Sequence, residues 1–133
     1  MKSRYVIFAD DDADDLELIT GFFKQYNRNI NVLEFKDGKE VLKFMVDFAT
    51  TTSNPVLVIL DINMPRMDGK ETLAEIRKHP HFQNVPVVVY STSINKSDEE
   101  YCKKLNATFV NKPNNVEGVK QVAKIIADFC RMA

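Results

Sequence analysis

The sequence predicts an α/β fold with a doubly wound, five-stranded parallel sheet, and three observations predict it. Five short apolar runs, Tyr5 to Ala9, Ile30 to Phe35, Val56 to Leu60, Val87 to Tyr90 and Thr108 to Val110, alternate with five segments of helical character. Strands separated by helix-length segments need crossover connections, and crossovers join parallel neighbours. Most of the runs are apolar at consecutive positions, as happens when helices cover both faces of a sheet. Helix starts, the third observation, are marked by capping side chains directly after the runs. At 133 residues the chain is expected to form one domain over residues 1–133, too short for a second catalytic or DNA-binding module.

The elements follow in order. The first run ends in the acidic cluster Asp10-Asp11-Asp12, which opens a helix. Asp14 and Asp15 fall in its first turn, where carboxylates stabilise the positive end of the helix dipole. In the second run, Ile30-Asn31-Val32-Leu33-Glu34-Phe35, polar residues interrupt the apolar ones, which predicts an edge strand. Asp37-Gly38-Lys39-Glu40 and Asp68-Gly69-Lys70-Glu71 place a capping carboxylate three residues before a glutamate. Ser97-Asp98-Glu99-Glu100 and Asn114-Asn115-Val116-Glu117 repeat the pattern. Each would satisfy amides that a first helical turn leaves unpaired. His79-Pro80-His81 reads as a helix stop. Lys103 and Lys104 mark another last turn, with Asn106 at a left-handed cap position. In the last helix Val119, Val122, Ile126 and Phe129 recur at three- and four-residue steps, predicting one apolar stripe.

Composition excludes several classes. Hydrophobic residues at 44% and charged residues at 28% describe an ordinary globular chain rather than a disordered one. A formal net charge of -1 without a basic run leaves no electrostatic footprint for nucleic acid. No apolar stretch is long enough to span a bilayer, so no membrane partner is expected. Met1 to Arg4 lead into the first run without a small-residue cleavage site, and a cytoplasmic location is expected. Cys102 and Cys130 have neither metal-ligand nor redox spacing and read as reduced thiols in helices.

The residues that carry chemistry stand where strands end. Asp10 and Asp11 follow the first run, Asp61 the third and Lys112 the fifth. With strand order 2-1-3-4-5, taken from a known doubly wound pattern of which the chemotaxis receiver is itself an instance, the first and third strands are neighbours. The crevice above them is where ligands bind. Two carboxylates about 4 Å apart repel by roughly 4 kcal/mol at an effective dielectric near 20, so three gathered there require a cation. Hard oxygen donors suit Mg²⁺. Three carboxylates against one Mg²⁺ and the Lys112 ammonium come to zero charge. A phosphoryl group added to one of them would upset that balance.

In chain order these features resemble a response-regulator receiver domain of the stand-alone type. The matching residues are the acidic pair Asp10 and Asp11, and Asp61 before the turn Met64-Pro65-Arg66-Met67-Asp68-Gly69. They continue with the hydroxyl of Ser91 ending the fourth run and Lys112-Pro113 ending the fifth. The resemblance implies a flavodoxin-like (βα)5 fold in a phosphorelay, or two-component, system. It makes Asp61 the phosphoacceptor, served by a histidine kinase or phosphotransfer protein. It implies Mg²⁺ held by Asp10, Asp11, Asp61 and the backbone carbonyl of Asn63. Lys112 would clamp a phosphoryl oxygen, Ser91 and Phe109 would form the switch, and the Lys112–Pro113 bond would be cis. The face made by the fourth helix, fifth strand and fifth helix, with Lys103, Lys104, Lys120 and Lys124 in its sequence, would dock a downstream protein or a second copy as a homodimer. The expected activity is self-phosphorylation and dephosphorylation, not turnover of another substrate. An alternative is a haloacid-dehalogenase-like Mg²⁺-dependent phosphatase with Asp10 as nucleophile and Asp12 as general acid.

Overall fold

The computed structural model describes residues 4–133; Met1, Lys2 and Ser3, read above as part of a lead-in without a cleavage site, lie outside the described residues. The strands are β1 (Tyr5–Ala9), β2 (Asn31–Phe35), β3 (Leu57–Leu60), β4 (Val87–Ser91) and β5 (Thr108–Asn111). Between and after them run α1 (Ala13–Tyr26), α2 (Gly38–Phe44), α3 (Gly69–Lys78), α4 (Lys96–Lys104) and α5 (Val116–Met132). All strand pairs are parallel, in the order β2-β1-β3-β4-β5, as expected. Among the described residues no helix is long and apolar enough to cross a membrane.

Side chains alternate across the sheet, yet both faces are buried, which explains the uninterrupted apolar runs. Ile7, Val58, Leu60 and Val89 pack under α2, α3 and α4 with Val41, Leu73, Ile76, Phe82 and Cys102. Val6, Phe8, Leu57 and Ile59 pack under α1 and α5 with Leu16, Ile19, Phe23, Ala123 and Ile126. The edge strands β2 and β5 are the partly exposed ones. Both cysteines are buried and free.

Helix ends match the sequence in part. Asp37 and Asp68 are N-caps, and Asp68 with Glu71 closes a full capping box. His79 ends α3 and Asn106 adopts φ 57°, both as expected. Two caps differ, for α4 is capped by Asn95 rather than Ser97, and α5 by Asn115 rather than Asn114. An asparagine in each case reaches the amide two or three residues on, a bond the neighbouring candidate does not make. α2 runs on into a π-helical segment, Met45–Ala49, which no sequence pattern announced. The α5 stripe is also shifted. Val119, Ala123, Ile126, Ala127 and Cys130 are the buried residues, whereas Phe129 is exposed. Val122, Ile125 and Phe129 instead line an open apolar groove of about 310 Å³ against Val88, Thr108 and Val110 of β4 and β5.

Candidate functional site

Strand register builds the site. Ala9 pairs with Leu60, and Leu60 with Val89, so β1 and β3 end level while β4 runs two residues further, to Ser91. Beyond those ends the ladder continues by single bonds: the Asp61 amide donates to the Ala9 carbonyl (2.9 Å) and the Asp10 amide to the Phe35 carbonyl (3.0 Å). The Lys112 amide donates to the Ser91 carbonyl (2.8 Å). The backbone of each polar residue is therefore fixed by the sheet, and its side chain stands at the carboxyl edge.

One oxygen each of Asp10, Asp11 and Asp61 lies within 4.8 Å of the others. Asp10 and Asp61 are buried and Asp11 is exposed, so the cluster opens to solvent on one side. Lys112 Nζ, whose side chain is 7% exposed, donates to Asp10 Oδ2 (2.6 Å), Asp15 Oδ2 (2.9 Å) and Asp61 Oδ2 (3.4 Å). Burial raises the Asp10 carboxyl to about 6, against the opposing hydrogen bond from Lys112, with Asp61 repelling its charged form. For Lys112 burial alone would favour the neutral amine. Its hydrogen bonds to Asp10 and Asp15 outweigh that and hold it firmly protonated.

The other Asp61 oxygen decides what the cluster suits. Asp61 Oδ1 is buried without a hydrogen-bond partner among the described residues, a situation that costs about 1 to 3 kcal/mol and is rare without a reason. Three converging hard oxygen donors fit a divalent cation such as Mg²⁺.

The loop after Asp61 is held from outside. Gly69 is where α3 meets it, and a Cβ there would lie 2.2 Å from the Asp61 carbonyl oxygen. Arg66, at φ 64°, donates through Nε (3.1 Å) and a second N–H to Asp37, the buried cap of α2, and the Gly38 amide donates to the Met67 carbonyl (3.1 Å). On the opposite side Lys70 pairs with Asp98 (2.8 Å), which also accepts from Ser93 Oγ (2.7 Å) in the loop after β4.

Of the residues singled out in the sequence, Asp10, Asp11, Asp61 and Lys112 come together. Asn63 is exposed two residues beyond Asp61. Ser91 is fully buried, and its Oγ accepts from the Ser93 amide (3.3 Å) rather than approaching a carboxylate. Phe109 is partly buried against the core on the α4 side. Two expectations need correction. No peptide bond among the described residues is cis, so Lys112–Pro113 is trans. Asp15 does more than balance a helix dipole, because it holds Lys112. Only the fold brings the first turn of α1, and with it Asp15, over the crevice. The Arg66–Asp37 pair, 29 residues apart, left no sequence signal.

The alternative general acid, Asp12, is engaged as the N-cap of α1, accepting from the Asp14 and Asp15 amides (3.0 and 3.1 Å). Residues 6–124 match the sequence model of the response regulator receiver domain. The chain belongs to that family. Such receiver domains work in two-component systems, take phosphoryl groups from histidine kinases or phosphotransfer proteins, and bind a divalent metal at an aspartate cluster. Among curated relatives, response regulator Rcp1 of Synechocystis sp. is 26% identical over 95% of this chain and 88% of its own. The structure of the phosphorylated cyanobacterial phytochrome response regulator RcpA superposes with a TM-score of 0.88 at 30% identity, covering 96% of this receiver and 94% of RcpA. The Mn²⁺-bound form of Rcp1 gives a TM-score of 0.86 at 26% identity, over 95% and 93% of the two chains.

Proposed function

We propose that this receiver accepts a phosphoryl group on Asp61 from a histidine kinase or phosphotransfer protein, with Mg²⁺ as cofactor, and signals through the face formed by α4, β5 and α5. The observation that carries the reading is the buried, unpartnered Asp61 Oδ1 beside Asp10, Asp11 and Lys112. A carboxylate oxygen without a hydrogen bond keeps its lone pairs for an incoming phosphorus. An Asp61 oxygen forms the new O–P bond, the P–N bond to the donor imidazole breaks, and its electron pair stays on the imidazole. Asp10, Asp11, Asp61 and the Asn63 carbonyl would hold Mg²⁺, which would supply positive charge for the phosphoryl oxygens. Lys112 neutralises a further oxygen, and catalysis by positioning and fixed charge is what phosphoryl transfer requires.

The phosphorylated and Mn²⁺-bound states named for RcpA and Rcp1 support the same chemistry here. Ser91, bonded only weakly to its own loop, turns to a phosphoryl oxygen, and Phe109 repacks behind it on β5. The face they reach carries exposed Lys103, Lys104 and Lys124, half-buried Lys120 and the apolar groove at Ile125 and Phe129. It would dock a downstream protein or a second copy. Labelling with radioactive acetyl phosphate and Mg²⁺ tests the assignment: wild type takes up label and Asp61→Asn does not. Equal uptake by the variant would remove Asp61 from the reaction.

A further inference from the structure

We propose that Tyr90 is a positioning residue for phosphoryl transfer: its ring face holds the Lys112 ammonium at the crevice, so that the cation is in place when a phosphoryl oxygen arrives. The inference rests on the phosphoacceptor reading of Asp61. Lys112 Nζ lies over the Tyr90 ring, 5.8 Å from its centroid. The negative face of an aromatic ring attracts a cation within about 6 Å, and more strongly where water is kept away. Here it is kept away, for the Lys112 side chain is 7% exposed and Tyr90 is 4% exposed.

Sheet register makes the contact. Tyr90 pairs with Val110 across β4 and β5, and Lys112 stands two residues beyond Val110, its amide still bonded to the Ser91 carbonyl. Alternate side chains share a sheet face, so Lys112 follows Val110 to the side covered by α1 and α5, where Tyr90 packs with Phe8, Leu16 and Val119. A cleft of about 90 Å³, lined by Asp15, Leu18, Tyr90, Lys112 and Val119, lies alongside. A smaller side chain at position 90 would enlarge it and admit water to the ammonium. The carboxylate partners of Lys112 either change during the reaction or are weakened by solvent. Asp10 and Asp61 belong to the proposed metal site, where a divalent cation competes for their charge, and Asp61 ceases to be a carboxylate once it is an acyl phosphate. Asp15 is 43% exposed, so water screens its pull. The Tyr90 ring has no charge to neutralise, and its attraction persists when the carboxylates are occupied.

Ring face, hydroxyl and core packing can be separated in four versions of the chain: wild type, Tyr90→Phe, Tyr90→Leu and Phe23→Leu. Phe23 is fully buried in the same core, about two turns along α1 from Asp15, and controls for a lost aromatic. Beryllofluoride, which takes a carboxylate oxygen as the fourth ligand of a tetrahedral phosphoryl mimic, is titrated at saturating Mg²⁺. Tyr90→Leu is expected to bind it three- to tenfold more weakly than wild type, whereas Tyr90→Phe and Phe23→Leu stay within twofold. NMR of the metal-free proteins gives the second readout, since a ring face shifts the Lys112 ε-methylene protons upfield. That shift is expected in wild type and Tyr90→Phe and lost in Tyr90→Leu. Its absence in wild type overturns the proposal, whether or not Tyr90→Leu folds. Unchanged binding by Tyr90→Leu, in a wild type that does bind, also overturns it and leaves the phosphoacceptor reading standing. So does equal weakening in Tyr90→Phe, which would move the role to the hydroxyl, or in Phe23→Leu, which would reduce it to core packing. Failure of wild type to bind would sink the phosphoacceptor reading and this inference together.

Discussion

Replacing Asp61 by asparagine should make the metal-free protein more stable, although it removes the group proposed to do the chemistry. The carboxylate oxygens of Asp10, Asp11 and Asp61 lie within 4.8 Å of one another, so each pair repels by at least about 3.5 kcal/mol at an effective dielectric near 20. Two of those repulsions involve Asp61. Its attraction to Lys112 at 3.4 Å offsets about 5 kcal/mol of them on the same scale. The balance favours the neutral side chain by roughly 2 kcal/mol. Exposure of Asp11 lowers that figure, and relief of the orphaned Oδ1 raises it. A gain of about 1 to 3 kcal/mol corresponds to a melting midpoint about 4 to 12 °C higher for a domain of this size. The assay is thermal or urea unfolding in EDTA, repeated with Mg²⁺. Mg²⁺ should stabilise wild type by mass action and narrow the difference. An Asp61→Asn protein that melts at or below wild type in EDTA would refute the claim that the site is electrostatically frustrated.

Three further outcomes are expected. Burial holds the Asp10 carboxyl near 6 in the folded chain against an ordinary 3.8, so the folded state binds that proton more tightly than the unfolded one. Its stabilising contribution is complete below about 3.8 and lost as pH rises through about 6; the unfolding free energy from urea titration in EDTA should therefore increase by roughly 1 to 2 kcal/mol from pH 7.5 to pH 5, and a flat or falling trend would contradict this. Gly69→Ala puts a Cβ 2.2 Å from the Asp61 carbonyl oxygen and 2.8 Å from its carbon, backbone that must move by about 1 Å. Phosphorylation by acetyl phosphate should slow by about 10²-fold, with about 1 to 3 kcal/mol lost in stability, and a rate within threefold of wild type would show the loop yields freely. Phe82→Ala, at a fully buried position under α3 and β4, should cost about 3 to 5 kcal/mol by urea denaturation.

Much of this receiver can be read from its residues because local and global signals agree. Runs such as Val56 to Leu60 are apolar throughout, since both sheet faces are covered, and Asp37 and Asp68 announce helices they do cap. The carboxylates and Lys112 are conspicuous because a charge directly after a buried strand needs a partner. What escaped depends on pairing across the chain. Asp15 reaches Lys112 over 97 positions, and Arg66 reaches Asp37 only because two loops meet at one sheet edge. The apolar periodicity of α5 was real, but it did not say which flank faces inward. Small Ala123 and Ala127 let the helix approach α1, leaving Phe129 outside. Where asparagines and serines crowd a helix start, as from Ser93 to Ser97, several can cap and geometry chooses one.

The double engagement of Asp37 gives the acceptor loop a remote gauge. One of its oxygens receives the Glu40 amide at the start of α2, and the other receives Arg66 from the segment that follows Asp61. Any rearrangement around the acceptor that pulls Arg66 away also loosens that carboxylate, and the neighbouring turn of α2 frays with it. Hydrogen exchange at the Glu40 and Val41 amides would thus record events at the acceptor end of that loop.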